Sequence, residues 1–379
     1  MVRVATWNMS WAVHDRAARL GALVAEHGPV SLIFLQEANP AGLDRFCEAA
    51  GLDWWCSVDS TFPDLLAARG RVARRGSRAP RAAAIAGVGE GLRSPTPFPD
   101  VPLPEKVLAG WAPIDGTLAT VASYHAPTGS HGLNKPAQAV QFARWLGSVR
   151  GPVVLGLDGN TPRVDPIDPS GVRTHWHTGD RHLDGHPGDD LLLGPEPLHP
   201  LRDALRVWLE SHPDDMDRSR PEGPLRVSYK TRPDKPYRYD AIWITPDFGV
   251  DGIEYRYDEA IAAGTDHALV VADLSHDPSG GVTELAASLA ATTDLDDLPN
   301  RARRLAAWLD VADVLDAAEP DRRLEGIDVV LRDAVRNPDD PFGSFVEASA
   351  PVTDLYARYR TDHLGLVTAC LTGIIERSA

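Results

Sequence analysis

The stretch Val153-Val154-Leu155-Gly156-Leu157-Asp158-Gly159-Asn160 limits the fold more than any other. Val153 to Leu155 is apolar and β-branched, the composition of a buried strand. Asp158, Gly159 and Asn160 follow where that strand ends. Chemistry gathers at strand ends because loops there aim side chains at a ligand while the sheet holds them still. A carboxylate and a carboxamide separated by one glycine suit a hard cation, or a phosphate with its attacking water. The rest of the chain is read as supplying partners for these two side chains.

Val2 to Trp7 alternates as a strand does and ends in Asn8. Ala17, Leu20, Leu23 and Val24 lie at helical spacing within His14 to His27, and Ser31 to Leu35 is a second strand ending in Gln36-Glu37. If the two strands of this β-α-β unit are parallel, Asn8 and Glu37 share one edge. Cys56 to Arg81 reads as irregular. It holds an arginine run (Arg69, Arg71, Arg74, Arg75, Arg78, Arg81) with no acid from 69 to 81. Ala82 to Val88 is a strand. The spaced glycines at 87, 89 and 91 precede a proline-rich loop (Pro95 to Pro104), so no nucleotide-binding turn is read there.

Thr117 to Ser123 is a strand delivering Tyr124-His125-Ala126-Pro127, and Ala137 to Val149 is a helix that feeds the strand at Val153. Thr161 to Pro200 is a long loop with His175, His177, His182 and His186, read as solvated polar residues rather than a second metal site. Leu201 to Leu209 reads as a short helix, Tyr239 to Ile244 as a strand, and Ala260 to Gly264 as a turn. Thr265-Asp266-His267 then leads into a strand. Composition changes near Asp277-Pro278-Ser279-Gly280-Gly281 to an acidic helical pattern. This divides the chain into residues 1–278 and a helical appendage at 279–379, suited to packing or self-association.

The full chain carries 38 Lys+Arg against 54 Asp+Glu, a net charge of −16. That balance argues against a protein held on nucleic acid by bulk electrostatics, but not against an enzyme meeting a polyanion at one basic patch. Three cysteines are too few for a disulfide framework. No signal peptide and no membrane span is read, so a cytoplasmic protein is expected.

Asn8, Glu37, His125, Asp158, Asn160, Asp240, Asp266 and His267 all fall at expected strand ends. Carboxylates and amide oxygens without thiolates select Mg²⁺ or Mn²⁺. A histidine beside an acid can stay protonated and hold a phosphate oxygen. The ordered motifs Thr-Trp-Asn (6–8), Leu-Gln-Glu (35–37), Tyr-His-Ala-Pro (124–127), Asp-Gly-Asn (158–160), Tyr-Asp-Ala-Ile (239–242) and Thr-Asp-His (265–267) resemble the endonuclease/exonuclease/phosphatase superfamily, across about residues 1–275.

The resemblance implies a four-layer α/β/β/α sandwich of two mostly antiparallel sheets, and metal-dependent hydrolysis of a phosphoester. It makes Glu37 the main metal ligand, with Asn8 and Asp266 completing or supporting the shell. Asp158 would position or deprotonate water, and Asn160 would orient it and touch the phosphate. His267, bonded to Asp240, would bind the phosphate oxygen, with His125 as a second contact. Three positions depart from the family pattern: Leu157 stands where Gly usually precedes the Asp, Thr265 replaces Ser, and Ser10 stands where some nucleases have an acid. The expected activity is a Mg²⁺-dependent nuclease on DNA or RNA, with the arginine run read either as a phosphate-contacting loop or as a surface insertion. The alternatives are an enzyme for a small or lipid-borne phosphate ester and a non-catalytic binding module.

Overall fold

A computed structural model of the chain describes residues 1–68, 82–149, 151–174, 188–231 and 234–277. The arginine run, the four loop histidines and the helical appendage lie outside the described residues. Met1–Val149, Val153–Thr245 and Gly249–His276 form one contact-dense unit, which holds every candidate site residue. Arg150–Pro152, Pro246–Phe248 and the chain from Asp277 form a second.

The first half runs β1 (Val2–Asn8), α1 (His14–Glu26), β2 (Leu32–Ala38), α2 (Pro40–Ala50), β3 (Trp54–Ser57), α3 (Val58–Thr61), α4 (Pro63–Ala68), β4 (Ala82–Gly87), β5 (Arg93–Thr96), β6 (Val107–Ile114), β7 (Thr117–His125) and α5 (Asn134–Ser148). The second runs β8 (Val153–Asp158), α6 (Asp190–Leu193), β9 (Arg202–Asp203), α7 (Ala204–Ser211), β10 (Tyr229–Thr231), β11 (Lys235–Tyr237), β12 (Asp240–Ile244), β13 (Phe248–Arg256), α8 (Tyr257–Ala263) and β14 (Leu269–His276).

Two six-stranded sheets result, ordered β13-β14-β1-β2-β4-β3 and β5-β6-β7-β8-β12-β9. Each has one parallel pair, β1 with β2 and β7 with β8. The other resolved pairings are antiparallel. The sheets pack face to face through β1, β2, β7, β8 and β12. Helices α1 and α2 cover the outer face of the first sheet, burying Leu20, Leu23, Val24 and Phe46 against Trp7, Ile33 and Leu35. On the second sheet, α5 buries Phe142, Ala143 and Leu146 against Tyr124, Val153 and Leu155. Fully burying each large side chain contributes about 1.5–3 kcal/mol. The layers are therefore α/β/β/α, the expected architecture.

Between the sheets the contact is close. A Cβ on Gly156 would lie 2.4 Å from the Phe34 side chain, so β8 can pass β2 there only as glycine. Beside it, Gln36 Nε2 donates to Thr6 Oγ1 at 3.1 Å and to Ser123 Oγ at 3.2 Å, while Ser123 Oγ donates to Leu35 O at 2.9 Å. Buried polar groups satisfied across the two sheets specify their relative placement.

Three local readings are corrected. The expected turn at Ala260–Gly264 is the end of helix α8, which stops because Gly264 adopts φ +110 and its N–H bonds back to Ala260 O. The expected helix from Leu201 begins only at Ala204. Arg202–Asp203 pair as a short strand with β12, and Asp203 caps α7 by accepting from Leu205 N. Within the stretch read as irregular, Val58–Thr61 and Pro63–Ala68 are helical, the first opened by Ser57 as its cap. No helix among the described residues is long and apolar enough to cross a membrane.

Candidate active site

The two parallel pairs bring the strand ends to one edge. Asn8 pairs with Gln36 across β1 and β2, and His125 pairs with Asp158 across β7 and β8. Antiparallel β12 places Asp240 opposite Asp158. His267 stands just before β14, which pairs with β1, and Trp7 Nε1 donates to the His267 carbonyl at 3.0 Å. Register, rather than chain proximity, assembles these side chains.

Asp158, 1% exposed, is the hub. Its Oδ2 accepts from Asn8 Nδ2 at 2.8 Å and faces His125 Nε2 at 3.5 Å and His267 Nε2 at 3.9 Å. Its Oδ1 accepts from the Asn160 N–H at 3.0 Å. Glu37 joins the group at the bulge that ends β2, with Oε1 3.9 Å from His125 Nε2. Its backbone is left-handed, φ +49, as is that of Asn160, φ +47. A glutamate held there carries local strain, a feature that concentrates at functional sites.

Not every expected residue points the same way. Asn160 turns its amide toward the Ala126 carbonyl, donating at 2.8 Å, so it meets Asp158 through its backbone. Asp266 is exposed and bonded to Ser10 Oγ, which also contacts Thr265 Oγ1 at 2.9 Å. Its charge nonetheless reaches His267 and Tyr229. Asn8 Oδ1 accepts from the Ser10 N–H at 2.9 Å.

The His267 Nδ1 donates to both Asp240 oxygens, at 2.9 and 3.1 Å. Burial of the ring opposes its charge, but Asp240, Asp158 and Asp266 outweigh burial and raise its pKa to about 10. Complete burial pushes Asp240 up to about 6, against the pull of His267. The proton of the pair therefore rests on the imidazole at neutral pH. Asp158, Asp240 and His267 bring one ligand atom each within 4.8 Å of one another. Nδ1 is committed to Asp240, which leaves the far nitrogen of His267 facing Asp158. Glu37, Asn8 and Asp266 carry oxygen donors, the chemistry that fits a hard divalent cation.

Several partners were missed in the sequence. Lys106 Nζ lies 2.8 Å from His125 Nδ1. The same Nζ lies 3.5 Å from His125 Nε2, which also faces Asp158. Lys135, fully buried, donates to Gly159 O at 3.3 Å and Asn160 O at 3.4 Å and pairs with Asp189 at 3.4 Å. Ser228 Oγ accepts from the Tyr239 and Asp240 N–H groups at 2.8 and 2.9 Å, and Tyr229 lies against His267 with ring centroids 4.8 Å apart. Lys106 and Lys135 lie in no motif. Only the spacing of Tyr229, Tyr237 and Tyr239 offered a signal.

No family model matches the chain, and no curated protein matches it. Solved structures do. A humanized D. rerio TDP2 is 13% identical, with 72% of this chain and 98% of that one covered at a TM-score of 0.49. An endonuclease/exonuclease/phosphatase from Beutenbergia cavernae is 19% identical, with 73% and 72% covered at 0.43. The endonuclease domain of TRAS1, a telomere-specific non-LTR retrotransposon, is 15% identical, with 72% and 98% covered at 0.41.

Proposed function

We propose that this chain is a metal-dependent phosphodiester hydrolase, and that its substrate is a nucleic acid. The observation that carries the reading is the Asp158 carboxylate, buried at a shared strand edge between Asn8, His125 and the His267–Asp240 pair, with Glu37 alongside.

Phosphoryl transfer asks a protein for positioning and charge neutralisation more than for covalent help. Glu37 is the principal ligand for Mg²⁺ or Mn²⁺, supported by Asn8 and Asp266. The bound cation supplies Lewis-acid polarisation of the phosphate. Asp158 accepts a proton from water and fixes its direction. His267, kept as imidazolium by Asp240, donates to a non-bridging phosphate oxygen and offsets charge that builds there. His125 is a second phosphate contact, and Asn160 orients the water and touches the phosphate. The free thiols of Cys47 and Cys56 suit a reducing cytoplasm.

The test is a panel: plasmid, single-stranded DNA, RNA, inositol phosphates and bis(p-nitrophenyl) phosphate, each with Mg²⁺. Cleavage of a polynucleotide is the expected result. Turnover of the small esters alone would replace the nuclease reading with the small-ester one, and turnover of none would leave a binding module.

A further inference from the structure

Between Ser228 and Asp240 the chain is rich in aromatic and basic residues: Tyr229, Lys230, Arg232, Lys235, Tyr237, Arg238 and Tyr239, with one acid, Asp234. Among the described residues, strands β10 and β11 form a two-stranded sheet of their own beside the site. Tyr229 bridges His267 through the backbone, and the Ala268 N–H donates to Ser228 O at 2.8 Å. Directly opposed residues of an antiparallel pair share a face. Tyr229 with Tyr237, and Thr231 with Lys235, therefore lie on one side.

On that side the rings form a ladder. His267 to Tyr229 is 4.8 Å, Tyr229 to Tyr239 is 5.4 Å, and Tyr239 to Tyr237 is 5.0 Å. Two cations end it: Lys235 Nζ at 5.3 Å and Arg163 Cζ at 5.8 Å from the Tyr237 ring. Cation–π contact holds those charges in place beside a chain that is otherwise strongly acidic. Tyr237 and Tyr239 are buried, and Tyr237 is the bed for both cations, while half-buried Tyr229 lies against His267. The row of rings therefore leads from His267 to two cations, the pattern that a strand carrying several phosphates would follow.

We propose that the β10–β11 hairpin is the substrate-holding rim of the site. A polynucleotide strand with one phosphodiester at Asp158 and His267 lays neighbouring phosphates over Arg163 and Lys235. This rests on the hydrolase reading and narrows its substrate to a polyanionic strand. Basic tracks backed by aromatic residues are the general solution for single-stranded nucleic acid.

The test measures binding of a short fluorescent single-stranded DNA with phosphorothioate linkages, which resist cleavage, across a salt series in Mg²⁺. Arg163→Gln with Lys235→Gln should weaken binding about tenfold. Losing two phosphate contacts should flatten the slope of log K against log salt by about 1.4, from 2 × 0.7 per contact. Arg45→Gln with Arg144→Gln, at exposed positions of α2 and α5, controls for net charge and should change neither. A double variant that binds with the parent's affinity and slope overturns the proposal. So does a parent protein that hydrolyses bis(p-nitrophenyl) phosphate but does not bind the strand. Hydrolysis of that small diester by the parent tests the hydrolase reading by itself.

Discussion

Asp240 holds the imidazole of His267 by its Nδ1 at 2.9 Å, and the far nitrogen of the same ring faces Asp158 Oδ2 at 3.9 Å. One protonated ring thus stands between two buried carboxylates. Each additional acid stabilises its positive form, and the buried site screens that attraction less than water would. The arrangement keeps a donor aimed into the pocket at neutral pH without a permanently charged side chain.

The pH dependence follows from the direction of that shift. A raised histidine pKa means the donor is present below the ordinary 6.5 and persists until pH rises through about 10. The rate kcat/KM should hold across neutral pH and fall on the alkaline side near 10. Asp240→Asn removes the largest favourable charge, so its alkaline limb should move toward neutrality. Its activity at neutral pH should fall about 10–100-fold, the usual cost of losing a supporting partner. A pH–rate profile of both proteins checks this, with the His267 ring signal followed by NMR. An unmoved limb in Asp240→Asn would contradict it.

Lys135 holds the Asp158-Gly159-Asn160 turn from behind. Its ammonium is satisfied by two backbone carbonyls and Asp189. Lys135→Met strands those acceptors and should cost about 3–5 kcal/mol in urea unfolding. It should lower kcat more than it raises KM, because Asp158 loses its aim rather than its contact with substrate. Lys135→Arg keeps the charge and should recover part of both. Equal losses in the Met and Arg variants would show that charge at this position is not what matters.

Gly156 and Gly91 separate packing from composition. A Cβ at Gly156 meets Phe34 at 2.4 Å, whereas one at Gly91 meets nothing within 4 Å. Gly156→Ala should destabilise by about 1–3 kcal/mol or more through overpacking between the sheets. Gly91→Ala should stay within about 0.5 kcal/mol of the parent. Denaturant midpoints at constant slope report both. A neutral Gly156→Ala would mean that the two sheets part easily.

Much of this was legible in the chain because it is local. The apolar run at Val153, the helical spacing of Leu20, Leu23 and Val24, and the acids and amides after each strand are written in neighbouring residues. The four-layer sandwich came through the family resemblance that the ordered motifs carry. What escaped is what tertiary contact decides. Lys106 reaches His125 from 19 residues away, and Lys135 reaches Asn160 from 25, with nothing at either position to mark the contact. The turn at Ala260–Gly264 was misread because Gly264 signals an ending equally well for a turn and for helix α8. The bond from the Asn160 amide to Ala126 O is likewise a tertiary contact, 34 residues apart in the chain.

The most direct test is the Mg²⁺ dependence of bis(p-nitrophenyl) phosphate hydrolysis by the parent protein and by Glu37→Gln, with folding checked by circular dichroism. The account predicts a rate that vanishes in EDTA, returns with Mg²⁺, and in Glu37→Gln falls by about 10²-fold or more at saturating substrate. Hydrolysis that persists in EDTA, or a Glu37→Gln protein with the parent's rate and Mg²⁺ requirement, would contradict it.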